Sequence, residues 1–190
     1  MSKAIVSISM SLDGFIAGPN VSSKEPMGEG GERLHDWLFK TKTEMDARVV
    51  AETFESSGAV IVGGRTYKIA IHDAWGGISP FDSTAFVLTH HVPNEKVKGF
   101  VYITTGIDEI LSEAKKQAGI KNVWIMGGAN IIQQFIKSKL VDEMQITLVN
   151  VLLGDGVRLF DHIDIGQIEL ERTRIIESAG VTHIRFRVVK

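Results

Sequence analysis

Short runs dense in Val, Ile and Ala alternate along this chain with longer stretches in which apolar residues recur at helical spacing. The first run, Ala4 to Met10, predicts a strand that Asp13-Gly14 ends. Pro19 to Gly31 holds Pro26, Gly28 and Gly30 among polar residues and predicts a long mobile loop. A helix is predicted from about Arg33 to Glu55, although Leu34, Trp37, Leu38, Met45, Val49 and Phe54 keep the helical period only loosely. Gly58 stops it, and Ala59 to Val62 is the next strand. Thr66 to Ile71 predicts a short helix, and strands follow at Ala85 to Thr89 and Phe100 to Ile103. Asp108 is the expected N-cap of a helix that runs to about Gln117 and ends at Gly119. Then come a strand at Val123 to Met126, a helix at Asn130 to Lys137 and a long apolar strand at Glu143 to Leu153. Arg172 to Glu177 and Val181 to Val189 flank Ser178-Ala179-Gly180, which predicts a hairpin turn.

This order of strands and helices predicts an α/β fold: a mostly parallel twisted sheet, helices on both faces and an antiparallel C-terminal hairpin. A length of 190 residues fits one domain over residues 1–190 with a sizeable core. Hydrophobic residues make up 44% and charged residues 23%, an ordinary globular composition. The net charge of -2 argues against a nucleic-acid partner. No cysteine is present, so disulfides and thiolate metal sites are excluded, and no metal is expected. No signal-peptide pattern opens the chain and no apolar stretch is long enough to cross a membrane, so a cytoplasmic location is expected.

Two segments carry candidate chemistry. Val60 to Thr66 and Val123 to Asn130 are each an apolar run that ends in Gly-Gly and continues as a helix. Glycine lets a ligand approach the backbone, and the N–H groups of the first helical turn favour an anion. Two such junctions suit a ligand with more than one anionic contact, such as a dinucleotide. Arg65 is badly placed for the helix dipole unless it pairs with a phosphate, for which its planar guanidinium is suited. Neither junction is a G-x-G-x-x-G or a G-x-x-x-x-G-K-[ST]. Thr89-His90-His91 falls at the carboxyl end of a strand, where ligands of open α/β sheets bind. Adjacent histidines on a strand point apart, which suits one phosphate or adenine contact better than a shared metal.

Further blocks complete a pattern: Ser11-Leu12-Asp13-Gly14-Phe15-Ile16-Ala17-Gly18, Gly63-Gly64-Arg65-Thr66-Tyr67, Val123 to Gly128, Leu140-Val141-Asp142-Glu143 and Leu152 to Phe160. In this order they resemble the dihydrofolate-reductase-like superfamily, whose fold is a three-layer α-β-α arrangement. The nearest likeness is the family of the C-terminal reductase domain of the bacterial bifunctional deaminase-reductase of riboflavin biosynthesis. The resemblance implies an NADPH-dependent reductase acting on a small planar heterocycle, as a homodimer. The activity it implies is similar to that of a 5-amino-6-(5-phosphoribosylamino)uracil reductase. A pterin-directed activity like that of dihydrofolate reductase and a non-catalytic NADP(H)-binding module are the alternatives.

By the same resemblance, Ser9, Ile16 and Ala17 line the nicotinamide end. Gly64, Arg65 and Thr66 hold phosphates on one side, and Gly127, Gly128, Ala129 and Asn130 hold the pyrophosphate on the other. Thr89 and His90 fall at the adenosine 2′-phosphate, and the loop from Pro19 to Gly31 becomes a cover over the nicotinamide. Asp36 is the expected proton donor, with Glu44 and Asp46 as rivals; Trp37 and Thr147 face the substrate, and Asp13 is a turn residue. The apolar run Ile146 to Leu153 adds to the expectation of a homodimer. Three departures from the riboflavin enzymes bear on the substrate. Ser7 stands where they have a lysine, Met126 where they usually have a glutamate, and no Asp-Pro-x-Leu segment occurs near His72 to Phe81. The zinc-binding cysteines of the deaminase half do not occur in this sequence either.

Overall fold

The computed structural model describes residues 2–190. Eight strands form one sheet in the order β5-β4-β3-β6-β1-β7-β10-β9. They are β1 (Ala4–Ser11), β3 (Ser57–Gly63), β4 (Thr84–Leu88), β5 (Phe100–Ile103), β6 (Asn122–Gly127), β7 (Glu143–Val149), β9 (Leu170–Ser178) and β10 (Val181–Val188). Neighbours from β5 through β7 pair in parallel, and β10 pairs antiparallel with both β7 and β9. Short strands β2 (Phe15–Ala17) and β8 (Val157–Arg158) form a separate ribbon. The helices are α1 (Asp36–Phe39), α2 (Glu44–Ser56), α3 (Gly64–Ala70), α4 (Ile107–Ala118) and α5 (Ala129–Lys137). This is the α/β architecture expected from the chain's alternation.

The two sheet faces differ in chemistry. On one side α4 and α5 cover Val6, Ile61, Val123, Ile125 and Ile146, with Ile110, Ile132 and Phe135 fully buried between the layers. Each such side chain contributes roughly 1.5–3 kcal/mol by leaving water. On the other side α3 packs Tyr67 and Ile71 onto Val60, Val62, Val87 and Phe100. Beneath α2 the face turns polar: Ser7, Gln145 and Arg185 share one cross-strand row, and Ser9, Thr147 and His183 the next. Accordingly the buried residues of α2 are Asp46 and Val49, while Met45 and Phe54 stay partly exposed. That is why the helical period looked loose in the sequence.

Several expectations are corrected. The single helix from Arg33 to Glu55 is a 3-10 turn at Gly31–His35, then α1, then α2 after a break at Lys40 to Thr43. Thr43 restarts the chain with a capping box, since its side chain accepts from the Asp46 N–H and Asp46 accepts from the Thr43 N–H. Asp108 lies in the first turn of α4, whose N-cap is Gly106. Gly58 sits inside β3 because α4 crosses it closely, and a Cβ there would come within 2.7 Å of Ala118 Cα. The long strand from Glu143 to Leu153 ends at Val149. Ile146 and Val149 are buried within the sheet, whereas Leu152, beyond its end, is exposed. The loop from Pro19 to Gly31 is tightly folded: Gly18 N–H donates to Met27 O and Glu29 N–H to Pro19 O. Gly28 has φ 70°, and a Cβ on it would lie 2.3 Å from Gly18 O, so backbone packs on backbone there.

Candidate functional site

The parallel strands end in one line. Reading across the sheet, their carboxyl ends present Leu88-Thr89 from β4, Gly63-Gly64 from β3, Gly127-Gly128 from β6, Ser9 to Ser11 from β1 and Thr147 to Val149 from β7. Because β3 and β6 pair, the two Gly-Gly turns are immediate neighbours. A Cβ on Gly63 would stand 3.5 Å from Gly127 O, and one on Gly128 would stand 3.1 Å from Thr66 Oγ1. The Gly127-Gly128 peptide is cis. Gly64 is confined from the other side, since a Cβ there would meet Leu88 O at 2.9 Å and Thr89 Cβ at 3.0 Å. Three strand ends thus meet at bare backbone.

The two helices that start here, α3 behind Gly63 and α5 behind Gly128, have no side-chain cap. Their first-turn N–H groups carry the positive end of the helix dipole toward the edge of the sheet. One of the predicted donors is already engaged, because Gly128 N–H donates to Thr66 Oγ1 at 2.9 Å. The bond ties the two turns together and leaves the Thr66 proton to be donated elsewhere. Arg65 is exposed and, among the described residues, makes no ion pair. Thr89 spends its hydroxyl locally, donating to His91 O and accepting from His91 N–H, while His90 is exposed beside it. Ala129 is buried, and Asn130 Oδ1 accepts from Gln134 Nε2 at 2.7 Å on the helix surface.

The other end of the line is a buried polar cluster. Thr147 Oγ1 lies 2.8 Å from His183 Nδ1, and His183 Nε2 lies 2.8 Å from Asp46 Oδ1. Asp46 Oδ2 accepts from both the N–H and the hydroxyl of Thr43, each at 2.8 Å, and Thr43 Oγ1 is 2.8 Å from Ser178 Oγ. Trp37 closes the cluster: its Nε1–H donates to Ser9 Oγ at 3.0 Å, and its ring sits edge-on to His183 with centroids 5.0 Å apart. Burial pushes the Asp46 carboxyl up, but hydrogen bonds from His183, Thr43 and Ser178 outweigh it and hold the group below the usual carboxylate range. Asp46 is therefore a buried anion whose Oδ2 accepts from Thr43 and whose Oδ1 faces His183.

The remaining predicted residues fall differently. Ile16 is buried in the core beside this edge, and Ala17 lies on β2, where its carbonyl crowds Gly156 so closely that a Cβ there would be 2.1 Å away. Asp36, the expected proton donor, has its carboxylate paired with Lys40 at 2.7 Å and Arg33 at 3.4 Å. The Lys40 hydrogen bond holds it below the usual carboxylate range. Glu44 is exposed in the first turn of α2. Asp13 accepts from Leu153 N–H and Gly154 N–H at 3.1 and 2.8 Å, the turn role expected of it. Met126 packs at the rim of the aromatic cluster around Tyr67, and Ser7 gives its carbonyl to Trp124 Nε1. His183 was missed. Its signal was an inward strand position, two residues after buried Val181, filled by a titratable group.

A small cavity of about 10 Å³ lies one row lower, against Ser7, Thr53, Trp124, Gln145 and Arg185. It has room for about one water and none for a ring. Among the described residues, no group of three or more His, Asp or Glu side chains could hold a metal ion. No helix there is long and apolar enough to cross a membrane.

The chain and its fold resemble known proteins. The family model described as the RibD C-terminal domain matches residues 78–184. This chain belongs to the RibD C-terminal domain family. It is 30% identical to the uncharacterized protein YyaP of Bacillus subtilis, over 96% of this chain and 93% of the relative. Among solved structures it shares its fold with a Shewanella sp. PV-4 protein provisionally assigned to riboflavin biosynthesis. The TM-score is 0.76 at 22% identity, over 99% of each chain. It shares the fold as well with a dihydrofolate reductase of Enterococcus faecalis complexed with NADP(H), at a TM-score of 0.62 and 18% identity over 99% and 97% of the two chains. Both likenesses establish a dihydrofolate-reductase-like fold. Membership in the RibD reductase-domain family supports an oxidoreductase.

Proposed function

We propose that this protein is an NADPH-dependent reductase of a small planar heterocycle, built as one domain over residues 1–190. The observation that carries this reading is the continuous edge from Thr89 through the two tied Gly-Gly turns to Ser9 and Thr147. Its bare backbone fits a cofactor whose phosphates must come close to N–H groups. Gly64, Thr66, Gly127, Gly128, Ala129 and Asn130 would hold the pyrophosphate, with Arg65 as a mobile cation over it. Thr89 and His90 would meet the 2′-phosphate, while Ser9, Ile16 and Ala17 would border the nicotinamide. Bound NADPH supplies the hydride. The chain's part is to orient the acceptor against it, exclude water and deliver one proton. Trp37 and Thr147 would face the acceptor ring.

A pyrimidine like that of the riboflavin pathway and a pterin both fit the planarity of this end. Met126 packing and Ser7 in place of a lysine favour an acceptor without the family's usual polar chain. A homodimer in the cytoplasm is the assembly that the family resemblance suggests, and light scattering tests the dimer. The functional reading is tested by thermal shift with NADPH and NADH, then by loss of NADPH absorbance with the aminouracil and with dihydrofolate. Stabilisation by NADPH well beyond that by NADH is expected. Equal response to both cofactors would remove the roles given to Arg65, Thr89 and His90, and binding without turnover of either acceptor would favour a binding module.

A further inference from the structure

We propose that Asp46, His183 and Thr147 form a proton relay in which His183 stores the proton and the Thr147 hydroxyl delivers it to the acceptor; this rests on the reductase reading above. The geometry dictates the direction. Asp46 Oδ2 is filled by the two donors of Thr43, which leaves Oδ1 for His183 Nε2. A carboxylate anion offers no proton, so Nε2 must carry the hydrogen in that bond. His183 Nδ1 is then the ring nitrogen that gains or loses a proton, and it faces Thr147 Oγ1 at 2.8 Å. With a neutral ring, Thr147 donates inward to Nδ1 and presents only lone pairs outward. With a protonated ring, Nδ1–H donates to Thr147 and the hydroxyl proton is free to point at the edge of the sheet. The charge on His183 therefore decides whether Thr147 is an acceptor or a donor toward the substrate.

The surroundings fit such a device. Asp46 is 0% exposed and His183 3%, so their attraction is poorly screened by solvent. The charged group facing the imidazole is Asp46, from α2. Its other neighbours are Thr147 on β7, Ile176 on β9 and Trp37 on α1, which carry no charge, and Arg185 lies one row down on its own strand. In the step, Thr147 gives its proton to the nitrogen or oxygen of a C=N or C=O group and takes one from His183 Nδ1. The acceptor's π pair forms the new N–H or O–H bond, and its carbon receives a hydride from the dihydronicotinamide. The imidazolium ends as imidazole and regains a proton from solvent. Thr147 is the catalytic residue of this set; Asp46 and Thr43 are positioning residues.

The test compares Thr147→Val, which keeps shape and removes the hydroxyl, with Thr147→Ser, which keeps it, and adds His183→Gln. NADPH oxidation with the aminouracil and dihydrofolate is read against pH, and nitrogen-15 NMR reads the His183 tautomer. Expected are a kcat about 10²-fold lower in the valine and glutamine variants with KM for NADPH little changed, and near-normal kcat in the serine variant. The basic limb of the wild-type pH profile should disappear in His183→Gln, and the neutral His183 ring should carry its proton on Nε2. If Thr147→Val works as well as Thr147→Ser, or neutral His183 carries its proton on Nδ1, the relay is overturned while the reductase reading stands. A wild type that neither binds nor oxidises NADPH overturns both.

Discussion

The decisive residues at this site are small, or sit where their side chains are committed to a single partner. Gly64 has Leu88 O and Thr89 Cβ where a side chain would go. Gly64→Ala should lose roughly 1–3 kcal/mol through this clash, read as a lower midpoint in urea. It should also weaken NADPH binding, because the same displacement spreads the Thr89 edge. Asp13 is the pH-sensitive counterpart. The Ser11 hydroxyl, opposed by burial and helped by the N–H groups of Gly154 and Leu153, lowers its pKa to about 2. A native pKa below the unfolded one stabilises the fold fully above about pH 4, and that contribution is lost as pH falls toward 2. Asp13→Asn should flatten this acid limb in thermal melts taken between those values; an unchanged limb would show that the carboxylate does not hold the loop after β7. Asp36 and Asp46 make the lesson of this scale. Both were visible as carboxylates that could donate a proton, but only their partners, Lys40 in one case and His183 in the other, tell them apart.

Among the elements, α2 links stability to the site. Its capping box is made by Thr43 and Asp46, and the same Asp46 carboxylate holds His183 with its other oxygen. Helix start and relay geometry are therefore one structure. Thr43→Ala should cost about 1 kcal/mol of stability through the lost cap. It should lower kcat more than it raises KM for NADPH, since it frees Asp46 to rotate away from His183. A stability loss with unchanged kcat would show that the cap serves the helix alone. The break before Thr43 could have been placed in the sequence, because Lys40-Thr41-Lys42-Thr43 supplies no apolar residue to continue the helix and Thr43-x-x-Asp46 has the form of a capping box. The loop from Pro19 to Gly31 illustrates the opposite case. Its composition reads only as a long loop, and nothing local shows that Gly18, Gly28 and Gly31 are small because backbone meets backbone there.

For the whole molecule, the candidate site follows from five parallel strand ends brought into one line. A ligand that spans this line binds only the folded chain, so NADPH at about 100 times its Kd should stabilise by about 2.7 kcal/mol. For a chain of this size that corresponds to a rise of roughly 5–10 °C in Tm. The two faces of the sheet divide the labour. The α4 and α5 face is apolar and carries most of the fully buried side chains, and the α2 face gives up some of that burial to seat the rows Ser9–Thr147–His183 and Ser7–Gln145–Arg185. Buried polar rows are tolerable only when their members find partners, as Ser9, Thr147 and His183 do.

By itself the sequence determined the alternation of strands and helices, the hairpin at Ser178-Ala179-Gly180 and the two Gly-Gly turns. Those features depend on local periodicity and turn chemistry, which neighbouring residues carry. Only the tertiary structure decided that β3 pairs with β6, so that the two turns are one cradle tied by Thr66 and Gly128. It alone paired Asp36 with Lys40 and Asp46 with His183. Asp46 and His183 are 137 positions apart, and Thr147 and His183 are 36 apart. No local pattern registers such pairs, because strand order and helix packing create them once the chain has buried its core.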